Sequence, residues 1–131
     1  MYNITVNDAI QFIRKHDTKD KAFSSKEWSN DQLALEIMSA IEDNSLTFTL
    51  DSEGELDGIC ICRRNDFHEI MYVVGIIGNI ESMWKMLGHF KLWFPGWRLQ
   101  ARRNSTVRLY NVDKLANVMH KLKHKYENTS R

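Results

Sequence analysis

The sequence is poor in cysteine, proline and glycine, and each shortage excludes a class of protein. Two cysteines in 131 residues are too few for a disulfide framework or for a zinc site of the usual thiolate count. One proline and six glycines argue against a disordered or linker-built chain. No apolar run approaches the ~18 residues that a membrane-spanning helix needs, so no membrane association is expected.

The cysteines and the first residues also bear on the compartment. Cys60 and Cys62 lie two apart in a predicted strand, so both side chains should point to one face, a poor geometry for a mutual disulfide. We interpret them as reduced packing residues. Residues 1–14 have no apolar segment typical of a secretory signal. Together these observations predict a cytoplasmic protein without a metal site.

What the chain does contain is typical of one soluble domain. Hydrophobic residues make up 43% of it, and the mean hydropathy is -0.46. A chain of this length buries about two thirds of its unfolded surface, which is enough for a core without disulfides. We therefore interpret residues 1–131 as a single domain.

Two helices and then a run of strands are predicted for the first half. The first helix should be capped by Asn7 or Asp8, and the second should begin at one of residues 29–31 and end at Asn44. The second helix is expected to bury a stripe of Leu33, Ala34, Leu35, Ile37, Met38 and Ile41. Alternating apolar residues then predict strands at 46–50, 56–63 and 68–74, joined as an antiparallel meander.

Residues 68–103 are the most informative part of the chain. They read as a strand, a break at 75–79, a helix at 80–94 stopped by Pro95 and Gly96, and a strand at 97–103. The helix should cover Tyr72 and Val74 with a stripe of Ile80, Met83, Trp84, Leu87, Phe90 and Trp93. A strand that breaks at glycines just before a helix aims unpaired backbone N–H groups at one point, which suits an anionic ligand.

This order of elements resembles the GNAT acyltransferase fold, and most of all the small GNAT-like proteins of tailed bacteriophages. The residues that carry the resemblance lie at 46–50, 58–63, 69–74, 75–78, 80–94 and 97–103. It implies an α+β fold with a central, mostly antiparallel sheet flanked by helices. The implied function is acyl-CoA-dependent N-acyltransfer, or binding by a degenerate relative.

The resemblance also implies acetyl-CoA as cofactor. In that family the pantetheine arm lies in a cleft beside the strand that precedes the long helix, and the pyrophosphate sits on the following turn. The matching residues here are Val74, Gly75, Gly78 and Asn79, although the Gln or Arg that leads the family's turn is missing. A bulge and a helix start would explain the two glycines equally well.

Acyl transfer to an amine needs a base, donors to the thioester oxygen, and an acid for the leaving thiolate. The resemblance implies Glu69 as the base, Tyr110 as the acid, and backbone N–H groups near Val74 and Gly75 as the donors. An acceptor amine would be the partner. Each residue also has a structural interpretation: Glu69 as a solvated strand residue, and Tyr110 as a half-buried packing residue.

An uneven charge distribution supports an alternative function. Residues 1–97 hold 9 basic and 15 acidic residues, whereas residues 98–131 hold 9 basic and 2 acidic ones. The predicted hairpin at 97–110, with a turn at 104–106, should bring Arg108 beside Arg98 and Arg102, with Arg103 near them. A basic helix and tail follow from about residue 111. Such a surface suits a non-enzymatic phage virion or regulatory protein that binds nucleic acid or a protein partner, and a solvated face would explain the same charge.

Overall fold

Four helices and five strands form within residues 4–17, 28–103 and 106–129, the part of the chain that the computed structural model describes. Their order is α1 (Val6–His16), α2 (Asn30–Glu42), β1 (Leu46–Leu50), β2 (Leu56–Asn65), β3 (Ile70–Gly78), α3 (Ile80–Trp93), β4 (Arg98–Arg103), β5 (Thr106–Asn111) and α4 (Val112–Thr129). The predicted loop at 17–26 lies almost wholly outside the described residues.

The strands form one mixed sheet in the order β1-β2-β3-β4-β5. Neighbouring strands are antiparallel except for β3 and β4, which are parallel and joined through α3. The structure therefore confirms an α+β protein whose mostly antiparallel sheet is flanked by helices. The β1–β2 turn forms because the Asp51 carboxylate accepts hydrogen bonds from the N–H groups of Glu53 and Glu55.

The first core lies between the sheet and helices α1 and α2. Its buried residues are Ile4, Ala9, Phe12, Ile13, Leu33, Ile37, Ala40, Ile59 and Ile61. Thr5 caps α1, so the expected cap at Asn7 or Asp8 is wrong. Ser29 caps α2 and forms a reciprocal capping box with Gln32.

The stripe predicted for α2 is correct at Leu33 and Ile37 and wrong at three other residues. Leu33, Ile37 and Ala40 face the core, whereas Leu35, Met38 and Ile41 are exposed. The helix carries two apolar stripes rotated around its axis, and the sheet takes the one that includes the small Ala40. A small residue lets the helix approach the strands more closely.

The second core lies on the opposite face, under α3 and α4. Its buried residues are Cys60, Cys62, Met71, Met86, Leu87, Phe90, Phe94, Leu99 and Val112. The predicted alternation of β2 is confirmed, since Ile59 and Ile61 belong to the first core and the two cysteines to the second.

Part of the predicted packing of α3 is wrong. The helix contacts the side of β3 that carries Met71 and Val73, whereas Val74 packs in the first core. Trp93 was expected in the buried stripe but is 72% exposed. Pro95 and Gly96 end the helix as predicted, and Gly96 has a φ of 81°.

The boundaries of β3 differ from those predicted. The strand begins at Ile70, so His68 and Glu69 lie in the preceding turn, where Glu69 has a φ of 53°. It continues through Gly75 to Gly78, so no glycine-flanked turn separates it from α3. Pairing with β2 supports these extra residues: Gly75 lies opposite Ile61, and Gly78 lies opposite Gly58.

Candidate functional site

The candidate site is a wedge that opens between β3 and β4, with Val73 on one side and Ala101 on the other. The parallel ladder contains three residue pairs and ends at Tyr72 and Gln100. Beyond it, Val73 pairs with β2 and Ala101 pairs with β5. Because a strand edge carries backbone N–H and C=O groups, the wedge presents two such edges to any molecule that enters it.

A β-bulge lies where the wedge begins. Cys62 pairs with Val73 and Ile61 pairs with Gly75, so Val74 is the extra residue of β3 in this ladder. A bulge bends its strand and leaves the extra residue unpaired. The bend and the end of the β3–β4 ladder therefore coincide, which explains why the two strands separate here.

An apolar cavity of about 190 Å³ lies beside the wedge, between the sheet and helices α3 and α4. Val73 and Ala101 both line it, so the helix side of the wedge opens into the cavity. Its other walls include Cys60, Met83, Met86, Leu99, Tyr110 and Met119. The lining is almost wholly apolar, which suits a hydrocarbon group.

Helix α3 begins directly after β3. The Asn79 side chain accepts a hydrogen bond of 2.8 Å from the Ser82 N–H, which occupies one of the amides that an anion could use. A Cβ at Gly78 would overlap the hydroxyl of the fully buried Ser82, and a Cβ at Gly58 would lie 2.9 Å from the Ser82 Cβ. These two glycines therefore let α3 approach the sheet, and Gly75 lies at the bulge. From the sequence, a bulge and a helix start are the alternative to a phosphate-binding turn. The structure agrees with that alternative, with Gly75 at the bulge and Gly78 at the helix start.

An open acidic cleft of about 900 Å³ lies on the α1 side of Gly78 and Asn79. Four carboxylates line it, those of Asp8, Asp51, Glu55 and Asp57, together with Lys15 and His16. Asp57 accepts a hydrogen bond of 2.5 Å from the Thr49 hydroxyl, and Asp51 accepts those of its turn. The excess of carboxylates makes this cleft favourable for cations and unfavourable for phosphates.

The two cysteines form a buried pair in the wall of the second core. Their sulfur atoms lie 3.6 Å apart, and both thiols are free. The hydrogen bond to Cys60, together with burial, holds the pKa of the Cys62 thiol well above its usual value. A thiol with a raised pKa stays protonated and is a poor nucleophile, so Cys62 is suited to packing.

The two predicted catalytic residues lie in different parts of the fold. Glu69 is exposed in the turn before β3, where its carbonyl oxygen accepts a hydrogen bond of 3.1 Å from the Arg98 N–H. Five residues of chain separate it from Val74, about 16 Å at the rise of a strand. Tyr110 is half-buried and lines the cavity. Direct proton transfer needs a heavy-atom separation of about 3 Å, so Glu69 cannot serve a thioester at Val74 in this geometry.

The predicted contacts Arg98, Arg102 and Arg108 are distributed over both faces of the β4–β5 hairpin. Arg98 and Arg102 share one face and are exposed beside Val107 and Leu109, themselves about half exposed. Arg108 lies opposite Ala101 in the ladder and therefore on the other face, so the expected grouping of Arg108 with Arg98 and Arg102 is wrong.

The remaining predictions for this part of the chain have mixed outcomes. The Arg103 side chain and the turn residues 104–105 lie outside the described part of the structure. Asn111 accepts a hydrogen bond of 3.2 Å from the Lys114 N–H, which confirms it as the residue that starts α4.

Sequence reasoning missed the acidic cleft and the cavity. The acidic residues at 51–57 were visible as a turn, but their convergence with Asp8 depends on how α1 packs on the sheet. Met83 belongs to the stripe predicted to be core, whereas no role was predicted for Met86, and both line the cavity together with Met119. The methionines along α3 and α4 are the sequence signal from which an adaptable, incompletely filled interior could have been predicted.

The fold and the site define an α+β protein with a mixed five-stranded sheet, a wedge between its parallel strands, and an apolar cavity beside the wedge. No family model matches the chain, and comparisons with curated proteins and with solved structures found no similar protein. Within the described ranges, no helix has the length and apolar character to cross a bilayer. The same residues contain no group of three or more His, Cys, Asp or Glu side chains placed to hold a metal ion.

Proposed function

We propose that the protein is GNAT-like and binds an acyl-CoA thioester in the wedge, either as an N-acyltransferase or as a degenerate relative that retains binding. The observation that carries this proposal is the parallel β3–β4 pair, which separates after three residue pairs at the bulge of Val74. A pantetheine arm is narrow and rich in amide groups. It matches a gap with a strand edge on each side.

The distances along β3 are also compatible with such a ligand. Asn79, at the start of α3, is five residues from Val74, about 16 Å along a strand. This is comparable with the reach of an extended pantetheine arm, so a pyrophosphate near the helix N-terminus would place the thioester near the bulge. The acyl group would then face the apolar cavity.

The acidic cleft lies at Gly78 and Asn79, about 16 Å along β3 from Val74, so an amine held there would not reach a thioester at the bulge. The four carboxylates of the cleft attract a protonated amine and raise its local concentration next to Gly78 and Asn79. The same carboxylates disfavour the pyrophosphate on that side, so the cofactor would have to approach from the α3 side. Glu69 is too far from Val74 to be the base, and the geometry therefore supports binding better than catalysis.

A thermal unfolding series with acetyl-CoA and CoA tests this function. At a concentration of 100 Kd, either ligand should stabilise the protein by about 2.7 kcal/mol. Ala101→Phe should abolish the effect by filling the wedge, whereas Val107→Phe, on the opposite face of the same hairpin, should preserve it. Absence of any stabilisation of the unmodified protein by either ligand contradicts the proposal.

A second candidate function is the binding of nucleic acid by the exposed hairpin face. Arg98 and Arg102 stand on one face with half-exposed Val107 and Leu109, which gives cations next to apolar surface. The affinity for duplex DNA should fall as salt is added. The slope of log K against log salt concentration should be about -0.9 for each phosphate contact. Replacing Arg98 and Arg102 by Ala should flatten that slope, and Arg108→Ala, on the other face, should not. No binding at low salt would eliminate this function.

A further inference from the structure

The apolar cavity has the size of a ligand site. Its volume of about 190 Å³ exceeds the ~150 Å³ of an engineered protein cavity that stays dry and binds benzene. By that comparison it has room for about six carbon atoms. The cavity is partly open to solvent, and uncovered apolar surface of this kind is typical of a ligand-binding site.

The cavity is lined by residues that can adjust to a guest. Three methionines contribute to its wall, from α3 and α4: Met83, Met86 and Met119. Methionine has three rotatable bonds and a polarizable sulfur, so it moves around chains of different length at little cost. No charged residue lines the cavity, which excludes a charged group from its interior.

A cation lies at the edge of this space. Arg108 is directly opposite Ala101 in the β4–β5 ladder and two residues from Tyr110, and both of those residues line the cavity. It therefore stands on the cavity side of the hairpin, and its side chain is exposed. Among the described residues it has no hydrogen-bonded or ion-paired partner. Its guanidinium group is free to bind a carboxylate in a bidentate manner.

We propose that the cavity binds an unesterified aliphatic carboxylate of about six carbons, with the chain among the three methionines and the carboxylate on Arg108. The ligand chemistry follows from the apolar interior of the cavity and from the cation of Arg108 at its edge. The inference rests on the cavity and not on coenzyme A.

The test uses the full chain labelled with ¹³C at the methionine methyl groups and titrated with sodium hexanoate. The methyl resonances of Met83, Met86 and Met119 should shift and saturate. That of Met38, exposed on the other side of the sheet, should not move. From butyrate to hexanoate, Kd should fall about fourfold per added methylene group, because each buried CH₂ contributes about 0.8 kcal/mol. No saturable shift of the three methyl groups overturns the proposal.

Two variants distinguish the part of the site that binds the aliphatic chain of the ligand from the part that binds its carboxylate. Arg108→Gln should weaken hexanoate binding about tenfold, the effect of losing one charge-assisted pair, and should leave hexan-1-ol binding unchanged. Ala101→Phe should weaken both ligands. Equal affinity of Arg108→Gln and the unmodified protein for hexanoate refutes the assignment of the carboxylate.

A parallel titration with hexanoyl-CoA distinguishes the two sources of an acyl chain. Hexanoate that binds with a Kd at or below that of hexanoyl-CoA supports the free carboxylate as the ligand. If hexanoyl-CoA binds and hexanoate does not, this inference is overturned and the acyl-CoA function proposed above is favoured. If hexanoate binds and neither CoA nor hexanoyl-CoA does, this inference is supported and the acyl-CoA function is contradicted.

Discussion

The two faces of the sheet are packed with different kinds of side chain. The first core is built mainly from isoleucine, leucine and alanine, and includes Ile13, Ile37 and Ile61, which are fully buried. The second core contains two cysteines, Met71, Met86 and two phenylalanines, and the cavity lies within it. β-Branched side chains have few rotamers and hold a single arrangement, whereas methionine accepts several.

This difference in composition gives the two cores different roles. The first core holds one arrangement, and the second core can adjust its side chains. The first core fixes α1, α2 and the meander around fully buried isoleucines. The second core accepts unfilled volume next to the wedge, where the strands are already separated. Space that lowers stability in a core is retained most readily where it serves a ligand.

The largest expected effect comes from truncating the first core. Ile61→Ala should cost about 2–5 kcal/mol, the range for a fully buried aliphatic residue, because the branched neighbours cannot close the hole. Leu87→Ala, in the cavity wall, should cost less, since part of the Leu87 surface already faces empty space. Equilibrium urea unfolding measures both.

Lys85→Ala is the control on α3, and it should change stability by less than about 0.5 kcal/mol. Lys85 forms only a surface ion pair of 3.6 Å with Glu81. If Leu87→Ala costs as much as Ile61→Ala, the two cores are packed equally well and the comparison fails.

The next effect concerns the place where α3 approaches the sheet. Gly78→Ala should cost about 1–3 kcal/mol by overpacking against the Ser82 hydroxyl. Combining it with Ser82→Ala should recover part of that loss, so the two substitutions should be non-additive in a double-mutant cycle.

Gly88→Ala provides a matched control within α3 itself. A Cβ at Gly88 meets no atom within 4 Å, so alanine should stabilise the helix by about 0.5–1 kcal/mol. Thermal unfolding of the single and double variants measures the change in unfolding free energy for each of them. Strict additivity of Gly78→Ala and Ser82→Ala would show that close packing is not the reason for the glycine.

A smaller effect is expected at the start of α3. Asn79→Ala should cost about 1 kcal/mol because the Ser82 N–H loses its acceptor. Asn79→Asp should keep the cap, yet it adds a fifth carboxylate beside the four of the acidic cleft. Its stability should therefore rise with salt more than that of the parent. A salt response identical to that of the parent would mean that the cleft charges do not act at this helix end.

The smallest effect depends on pH and on the second core alone. Because the folded-state pKa of Cys62 is raised by Cys60 and by burial, its stability contribution is complete below the unfolded-state pKa of about 8.5. It is then lost as the pH rises toward the folded-state pKa. Urea unfolding from neutral to alkaline pH should show this decline, and Cys62→Ala should decline less. Equal slopes would contradict the shift.

Local patterns predicted much of the fold. The hairpin at Asp51, the opposite faces of Ile61 and Cys62, and the stop at Pro95 and Gly96 depend on residues close in sequence, and the structure confirms them. The exposed stripe of α2 could not be predicted, because periodicity alone does not choose between two apolar faces.

The site was less predictable for the same physical reason. Gly75 is a strand residue because a bulge puts it opposite Ile61, and no local signal distinguishes that position from a turn. The register of β5 against β4 places Arg108 on the face opposite Arg98 and Arg102. A shift of that register by one residue would move Arg108 to their face. The wedge exists because β3 bends away from a strand nearly thirty positions later in the chain, so it is a property of the assembled sheet.

The three-pair ladder between β3 and β4 also divides the sheet into two units of different cooperativity. The meander β1–β3 is tied together by long antiparallel ladders, whereas β4, β5 and α4 join it through three backbone pairs and the second core. Sub-global opening follows the weakest boundary, so the C-terminal unit should detach before the meander unfolds. Amide hydrogens of β4 should then exchange with solvent faster than those of β2. A ligand that contacts both β3 and β4 would slow this exchange. The exchange rate of the β4 amides therefore measures whether the wedge and the cavity are occupied.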